Sequence, residues 1–135
     1  MQIQTRWIKD LTFEGISEEH HVAIDTTIEG GGNNTGMGPK KLLLCSLCAC
    51  SGIDVVLILK KMKVEYTMLE INAEAEQTTE DPKVFTYINL TYTTDASKED
   101  EAKFRRAVEL SQEKYCGISL MLKKHCPVNF TIHHK

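Results

Sequence analysis

Residues 38–62, GPKKLLLCSLCACSGIDVVLILKKM, are the longest apolar run of the chain and hold three of its five cysteines. Gly38-Pro39 marks a helix start, because proline at the first helical position lacks only an N–H that would go unbonded anyway. From Leu42 to Leu59 nearly every residue is apolar or small, so the run predicts a helix buried almost all round. Its length reaches that of a membrane span. However, Ser46, Ser51 and Asp54 interrupt it, lysines flank both ends, and no second such run follows. A central helix of a soluble domain is therefore the expectation.

The polar residues of this helix are not scattered. At about 3.6 residues per turn, Ser46, Cys50, Asp54, Leu57 and Lys61 fall along one stripe. Cys45 and Cys48 lie on the other side with Leu44, Val55 and Leu59, where a free thiol is expected to be a small buried hydrophobe. Cys50, a thiol beside a hydroxyl and a carboxylate on an otherwise apolar helix, is the candidate for chemistry.

A chain of 135 residues is long enough to bury a real core and is expected to form a single domain over 1–135. Its net charge of −3 argues against a nucleic-acid partner. The opening MQIQTRWIKDLTFEG lacks the charged-then-apolar pattern of a secretory signal. Five cysteines without regular spacing do not describe a disulfide framework. A reducing cytoplasm is the expected compartment, and there cysteines that pair tend to be catalytic or redox-sensing.

Period-two alternation predicts strands over 2–10, 11–16 and 21–27, with Ser17–His20 as a turn and the three strands as an antiparallel meander. Residues 30–38, GGGNNTGMG, fit neither a P-loop nor a dinucleotide turn and predict a lid or connector before the helix. After the helix, Leu69, Ile71, Ala73 and Ala75 alternate with Glu70, Asn72, Glu74 and Glu76. Val84, Ile88, Leu90 and Tyr92 mark one side of the next strand. The Asp81-Pro82 turn between them predicts an antiparallel pair with one solvated acidic face. Ser97-Lys98-Glu99-Asp100 resembles a capping box, and Glu99/Lys103 and Glu101/Arg105 are favourable i,i+4 pairs. Phe104, Ala107, Val108, Ser111 and Tyr115 form the expected buried stripe of that helix. A short helix over 118–124 ends before Pro127, and 128–133 returns to the sheet as a strand. The order describes an α+β fold.

Cys116 follows one helix and opens the next, a place where free amides favour thiolate. With Cys50 it forms a candidate peroxidatic–resolving pair, in which a sulfenic acid condenses with the second thiol. Such a pair needs Cα atoms within about 7 Å of each other. Metal binding is the rival, since Cys45, Cys48 and Cys50 read as C-x-x-C-x-C and His125, Cys126, His133 and His134 crowd the C-terminus. A zinc ribbon, however, holds its C-x-x-C in a turn. Here the cysteines fall in a helix, and His133 and His134 would point to opposite faces of a strand, so no metal is expected.

Three blocks carry a resemblance: GPKKLLLCSLCACSGIDVVLILKKM, EDPKVFTYINLTY and AVELSQEKYCGISLMLKKHCPV. In this order they resemble the OsmC/Ohr family over essentially the whole chain, the OsmC-like branch more than the organic hydroperoxide resistance proteins proper. The resemblance implies an intertwined homodimer, with antiparallel sheets wrapped around central helices and sites at the subunit interface. It also implies a cofactor-free thiol peroxidase acting on hydroperoxides, often organic ones, in oxidative-stress defence. Cys50 would be the peroxidatic thiol, Cys116 the resolving one, and an external dithiol the reductant. The chain departs from the peroxidase branches at Lys40, where they carry a glutamate directly after the proline. They also use an N-terminal arginine, and Arg6 is the only arginine before position 105. Lys40, Asp54 and Arg6 are accordingly supporting candidates. The departure motivates an alternative, a non-enzymatic relative that binds a small ligand or senses redox state.

Overall fold

The computed structural model describes all residues, 1–135. The chain is α+β and divides into two compact units, Met1–Leu44 and Cys45–Lys135.

In the first unit, β1 (Gln4–Lys9), β2 (Thr12–Ser17) and β3 (His20–Ile24) form the expected antiparallel meander. Gly15 is required on β2, because a Cβ there would stand 2.9 Å from the Val22 side chain on β3. The glycine-rich segment is an ordered connector wound around one carboxylate. Asp25, only 2% exposed, accepts from the amides of Thr26, Asn33 and Thr35 and from the hydroxyls of Thr12 and Thr35. Within the segment the Asn33 and Thr35 amides are thus spent on Asp25, and those of Gly30, Gly31, Gly32 and Asn34 on backbone carbonyls. Gly32 permits the winding, since a Cβ there would meet the Thr26 carbonyl oxygen at 2.4 Å.

The Thr35 hydroxyl, helped by the Thr26 and Thr35 amides and Thr12, holds the Asp25 carboxyl far below the usual carboxylate range against the opposing effect of burial. A carboxyl lowered on folding stabilises the fold above its unfolded value, about 4, and loses that contribution as pH falls through the folded value. Limited pepsin digestion should therefore begin to cut within residues 26–38 only as pH drops well below about 4. Asp25→Ala should open the same segment to protease at neutral pH. Equal resistance of the variant at neutral pH would mean that the connector does not depend on Asp25.

The helix α1 (Pro39–Lys61) starts at Pro39 as expected and runs on into the second unit. It is long and apolar enough to cross a membrane, yet it is not buried all round. Leu47, Ser51, Val55 and Leu59 are fully buried, while Ile53, Val56 and Leu57 are exposed at 63%, 42% and 54%. The physical reason is that one sheet covers only one stripe of a helix, and the stripe recurs every four residues.

The second unit has one three-stranded sheet, ordered β4 (Leu69–Gln77), β5 (Phe85–Thr94) and β6 (Val128–His134). The β4–β5 hairpin is antiparallel and has the expected faces. Leu69, Ile71, Ala73 and Ala75 are half-buried, and the intervening Glu70, Asn72, Glu74 and Glu76 are exposed. Val84 lies before β5 and is exposed. The last strand adds to β5 in parallel, since it returns through helices rather than a tight turn. Gly52 lets α1 approach β4 closely, because a Cβ there would lie 3.1 Å from the Ile71 side chain.

Between the hairpin and β6 lie a 3₁₀ turn (Lys98–Asp100), α2 (Glu101–Leu110), a π-helical turn (Ser111–Tyr115) and α3 (Gly117–Lys123). The capping box does not form. Ser97 makes no side-chain cap bond, and its hydroxyl turns to Asp100 instead. Nor do the two expected i,i+4 pairs form; the bridges made are Lys103–Asp100 and Arg106–Glu109, three residues apart. The 3₁₀ turn explains the missing cap and the missing Glu99/Lys103 pair, because its tighter winding displaces Ser97 and Glu99 from their α-helical positions, whereas Glu101 and Arg105 both lie inside α2. Phe104, Ala107, Val108 and Ser111 are buried as expected, but Tyr115 is 52% exposed under the Lys114 ammonium. The wider π turn rotates Gln112 into the interior in its place.

Candidate active site

The site lies in the second unit, where α1, β5, the π turn and α3 meet. Cys116 is the N-cap of α3, and its sulfur accepts the Ser119 amide at 3.4 Å. It is 3% exposed. Its thiol neighbours that of Cys50, which is half-buried on α1. Burial, Cys50 and the Asp54 charge outweigh the Ser119 amide and push the Cys116 thiol up to about 11. The helix start was expected to favour thiolate. The structure reverses this, because a nearly dry site costs a thiolate more than one amide returns. The neighbouring Cys50 thiol adds to the effect of burial and favours the protonated form of Cys116.

Beside the two sulfurs runs a buried hydrogen-bonded chain. The Ser111 hydroxyl lies 3.1 Å from the Asp54 carboxylate and 2.8 Å from the Ser51 hydroxyl, which in turn meets the Tyr92 hydroxyl. The Gln112 amide nitrogen donates to Ser51 at 3.1 Å and to Tyr92 at 3.0 Å, and its carbonyl accepts from Ser119 at 2.7 Å. Donor counting sets the direction of every bond. A carboxylate only accepts, so the Ser111–Asp54 bond runs from Ser111, whose single proton is shared with the Ser51 backbone carbonyl at 3.4 Å. Ser51 must then donate to Ser111, and Tyr92 to Ser51. Burial pushes the Tyr92 phenol up to about 12, which keeps it a donor. Three hydroxyls thus point their protons one way, and the chain ends on Asp54.

Asp54 also borders an apolar cavity of about 390 Å³ lined by Leu57, Ile58, Lys61, Met62, Leu110 and Tyr115. Asp54, Leu57 and Lys61, three of the five residues of the polar stripe on α1, share its wall.

Of the residues singled out in the sequence, Cys50, Cys116 and Asp54 come together. Arg6 and Lys40 belong to the N-terminal unit. Arg6 is exposed on β1, 3.9 Å from the Glu14 carboxylate. Lys40 stands on the first turn of α1 and, with Lys41, Thr26, Thr27 and Thr35, lines a cavity of about 820 Å³. Cys45 is exposed rather than buried, because the buried stripe of α1 passes it by. Cys48 is half-buried, and burial together with Cys45 raises its thiol. Gln112 and Ser119 escape sequence reasoning, and Ser51, Tyr92 and Ser111 enter it only as structural positions, without a role in the site. The available signal was a polar side chain at an otherwise apolar helix position, which Ser51 and Ser111 both display.

Over residues 31–131 the chain matches the family described as OsmC-like protein. It is 36% identical over 131 residues to Protein YhfA of Escherichia coli strain K12, covering 97% of this chain and 94% of YhfA. A hypothetical protein from Aquifex aeolicus VF5 superposes with a TM-score of 0.81 at 25% identity, covering 99% of this chain and 96% of that one. An organic hydroperoxide resistance protein OsmC from Legionella pneumophila superposes with a TM-score of 0.72 at 15% identity, covering 98% and 95% respectively. That last likeness is one of fold.

Proposed function

The chain belongs to the OsmC-like family, and on that premise we propose that it is a cytoplasmic, homodimeric thiol peroxidase of oxidative-stress defence. The observation that carries the reading is the proximity of Cys50 and Cys116, thiols 66 residues apart in sequence, beside a carboxylate at the edge of a cavity. Structural neighbours named for organic hydroperoxide resistance, from Legionella pneumophila and Elizabethkingia anophelis, support the substrate class. Cys50 is the attacking sulfur, since it is partly exposed and Cys116 is buried and protonated.

Cys50 thiolate attacks the outer oxygen of the hydroperoxide, the O–O bond breaks, and the alkoxide takes a proton and leaves as alcohol. The sulfenic acid on Cys50 then condenses with Cys116, releasing water and forming the disulfide. An external dithiol reduces the disulfide and restores both thiols. The apolar cavity suits a substrate with a hydrocarbon body, so organic hydroperoxides are preferred over hydrogen peroxide. A second copy of the chain covers Ile53, Val56 and Leu57, the exposed apolar face of α1.

Stopped-flow mixing of the reduced protein with an organic hydroperoxide, then with hydrogen peroxide, tests this reading. Two thiols should be lost fast, faster with the organic substrate. The product should be two hydrogens lighter by mass, in a species with the light-scattering mass of two chains. The second reading, a non-enzymatic relative that binds a small ligand or senses redox state, rests on Lys40 and its cavity in the N-terminal unit. Oxidation no faster than that of a free thiol would select it.

A further inference from the structure

The two-thiol cycle leaves one proton without a carrier. When Cys116 attacks the oxidised Cys50 it must lose its proton, and hydroxide must gain one to leave as water. In the reduced protein Cys50 is the sulfur that neighbours the Cys116 thiol. Once that sulfur carries oxygen it is the electrophile under attack, and a base beside it speeds the loss of the Cys116 proton.

The titratable groups around this region can be counted. From α1 come Cys48, whose thiol burial raises, with Cys50, Asp54 and Lys61; from β5, Tyr92; from the π turn, Tyr115; and Lys123 on α3 spends its ammonium on the Gln112 backbone carbonyl at 2.6 Å. Lys61 and Lys123 are cations, and Tyr92 is a donor committed to Ser51. Asp54 lies one helical turn from Cys50, on the same face of α1. Its charge is felt at Cys116. It is also where the chain of hydroxyls ends, with Ser111 as its donor at 3.1 Å, the shorter of that hydroxyl's two donor contacts.

Resting on the two-thiol reading, we propose that the Asp54 carboxylate is the general base of disulfide formation. It takes the Cys116 proton as the sulfur–sulfur bond forms and passes it to the hydroxide displaced from Cys50. The step balances: one thiol and one sulfenic acid become one disulfide and one water, and Asp54 returns to carboxylate. The Ser111 bond fixes the carboxylate for this transfer, so Ser111 is a positioning residue.

Asp54 exerts two effects of opposite sign, and this makes the inference testable. As a charge it disfavours the Cys116 thiolate, so its removal would speed the attack. As a base it removes the proton, so its removal would slow it. The test needs no peroxide. In a background carrying Cys45→Ser and Cys48→Ser, Cys50 is converted by Ellman's reagent to its mixed disulfide with thionitrobenzoate. Attack by Cys116 then releases the coloured thiolate, a leaving group that needs no proton, so the release rate reads proton removal alone.

Asp54→Asn should slow this release about 100-fold at neutral pH, within the range of general base catalysis, and make it first order in hydroxide. Asp54→Glu should recover part of the loss, and Ser111→Ala should cost less than Asp54→Asn while keeping the original pH profile. If Asp54→Asn is unfolded by thermal melt, the Asp54→Glu and Ser111→Ala profiles decide. Release from Asp54→Asn as fast as or faster than from the parent would overturn the proposal, as would parent-like rates and profiles in both other variants. If the parent releases thionitrobenzoate normally but reacts with peroxide no faster than a free thiol, the peroxidase reading alone falls. If the parent fails to release it, the thiols do not meet and both fall.

Discussion

Cys50→Ser should lower peroxide-dependent thiol loss by about 10³-fold or more, the scale seen when an enzyme loses its nucleophile. A hydroxyl at position 50 cannot become a sulfenic acid, so neither the first step nor the disulfide can follow. Cys116→Ser should behave differently. Its Cys50 still reacts with one equivalent of hydroperoxide, but the sulfenic acid then has no thiol partner and persists. Dimedone trapping with intact mass should find one adduct on Cys116→Ser and none on Cys50→Ser. Comparable burst rates in Cys50→Ser and the parent would remove Cys50 from the reaction. A disulfide formed as fast in Cys116→Ser as in the parent would assign resolution to another thiol. The burial of Cys116 at 3% exposure is what makes this separation clean, since outside reagents reach Cys50 first.

The largest stability effect is expected at Gln112. This side chain is 4% exposed and holds three buried hydroxyls at once, donating to Ser51 and Tyr92 and accepting from Ser119. Gln112→Leu keeps the volume but leaves those hydroxyls short of partners in an apolar site. At about 1–3 kcal/mol for each unsatisfied buried group, partly recovered by relaxation, the loss should be about 3–5 kcal/mol. Tyr92→Phe removes only the donor that starts the chain, so it should cost about 1–2 kcal/mol. Urea unfolding of the two variants beside the parent measures both. A Gln112→Leu loss no larger than that of Tyr92→Phe would show that water replaces the amide, and that the network is looser than its geometry implies. A real loss would also separate two roles of the π turn. It carries Gln112 inward for stability, and it places Ser111 against Asp54 for chemistry.

Much of the fold was legible because its signals are local. Pro39 opens α1 where a missing N–H is harmless, and the alternation of Leu69 to Glu76 gives the hairpin both its pairing and its faces. The thiol stripe was legible for the same reason, as helical spacing alone puts Cys50 and Asp54 on one face. Cys45 was misplaced because the same periodicity says which residues share a face but not which face is covered. The wheel of α1 admits several buried stripes, and the stripe through Leu47, Ser51, Val55 and Leu59 is the one the sheet selects.

The sequence by itself determined the α+β class, the meander, the hairpin, the apolar helix and the two cysteines worth pairing. Periodicity, proline and glycine act within a few residues, and each of these features is set at that range. Only the tertiary structure decided that the two thiols are neighbours, that Cys116 is the protonated partner, and that a π turn brings Ser111 and Gln112 inward together. It also decided that three hydroxyls point their protons toward Asp54. Each depends on groups brought from α1, β5, the π turn and α3, 61 residues apart in the Ser51–Gln112 bond and 66 in the Cys50–Cys116 pair. Desolvation and donor–acceptor balance exist only once such groups share one buried space, and no local pattern encodes them.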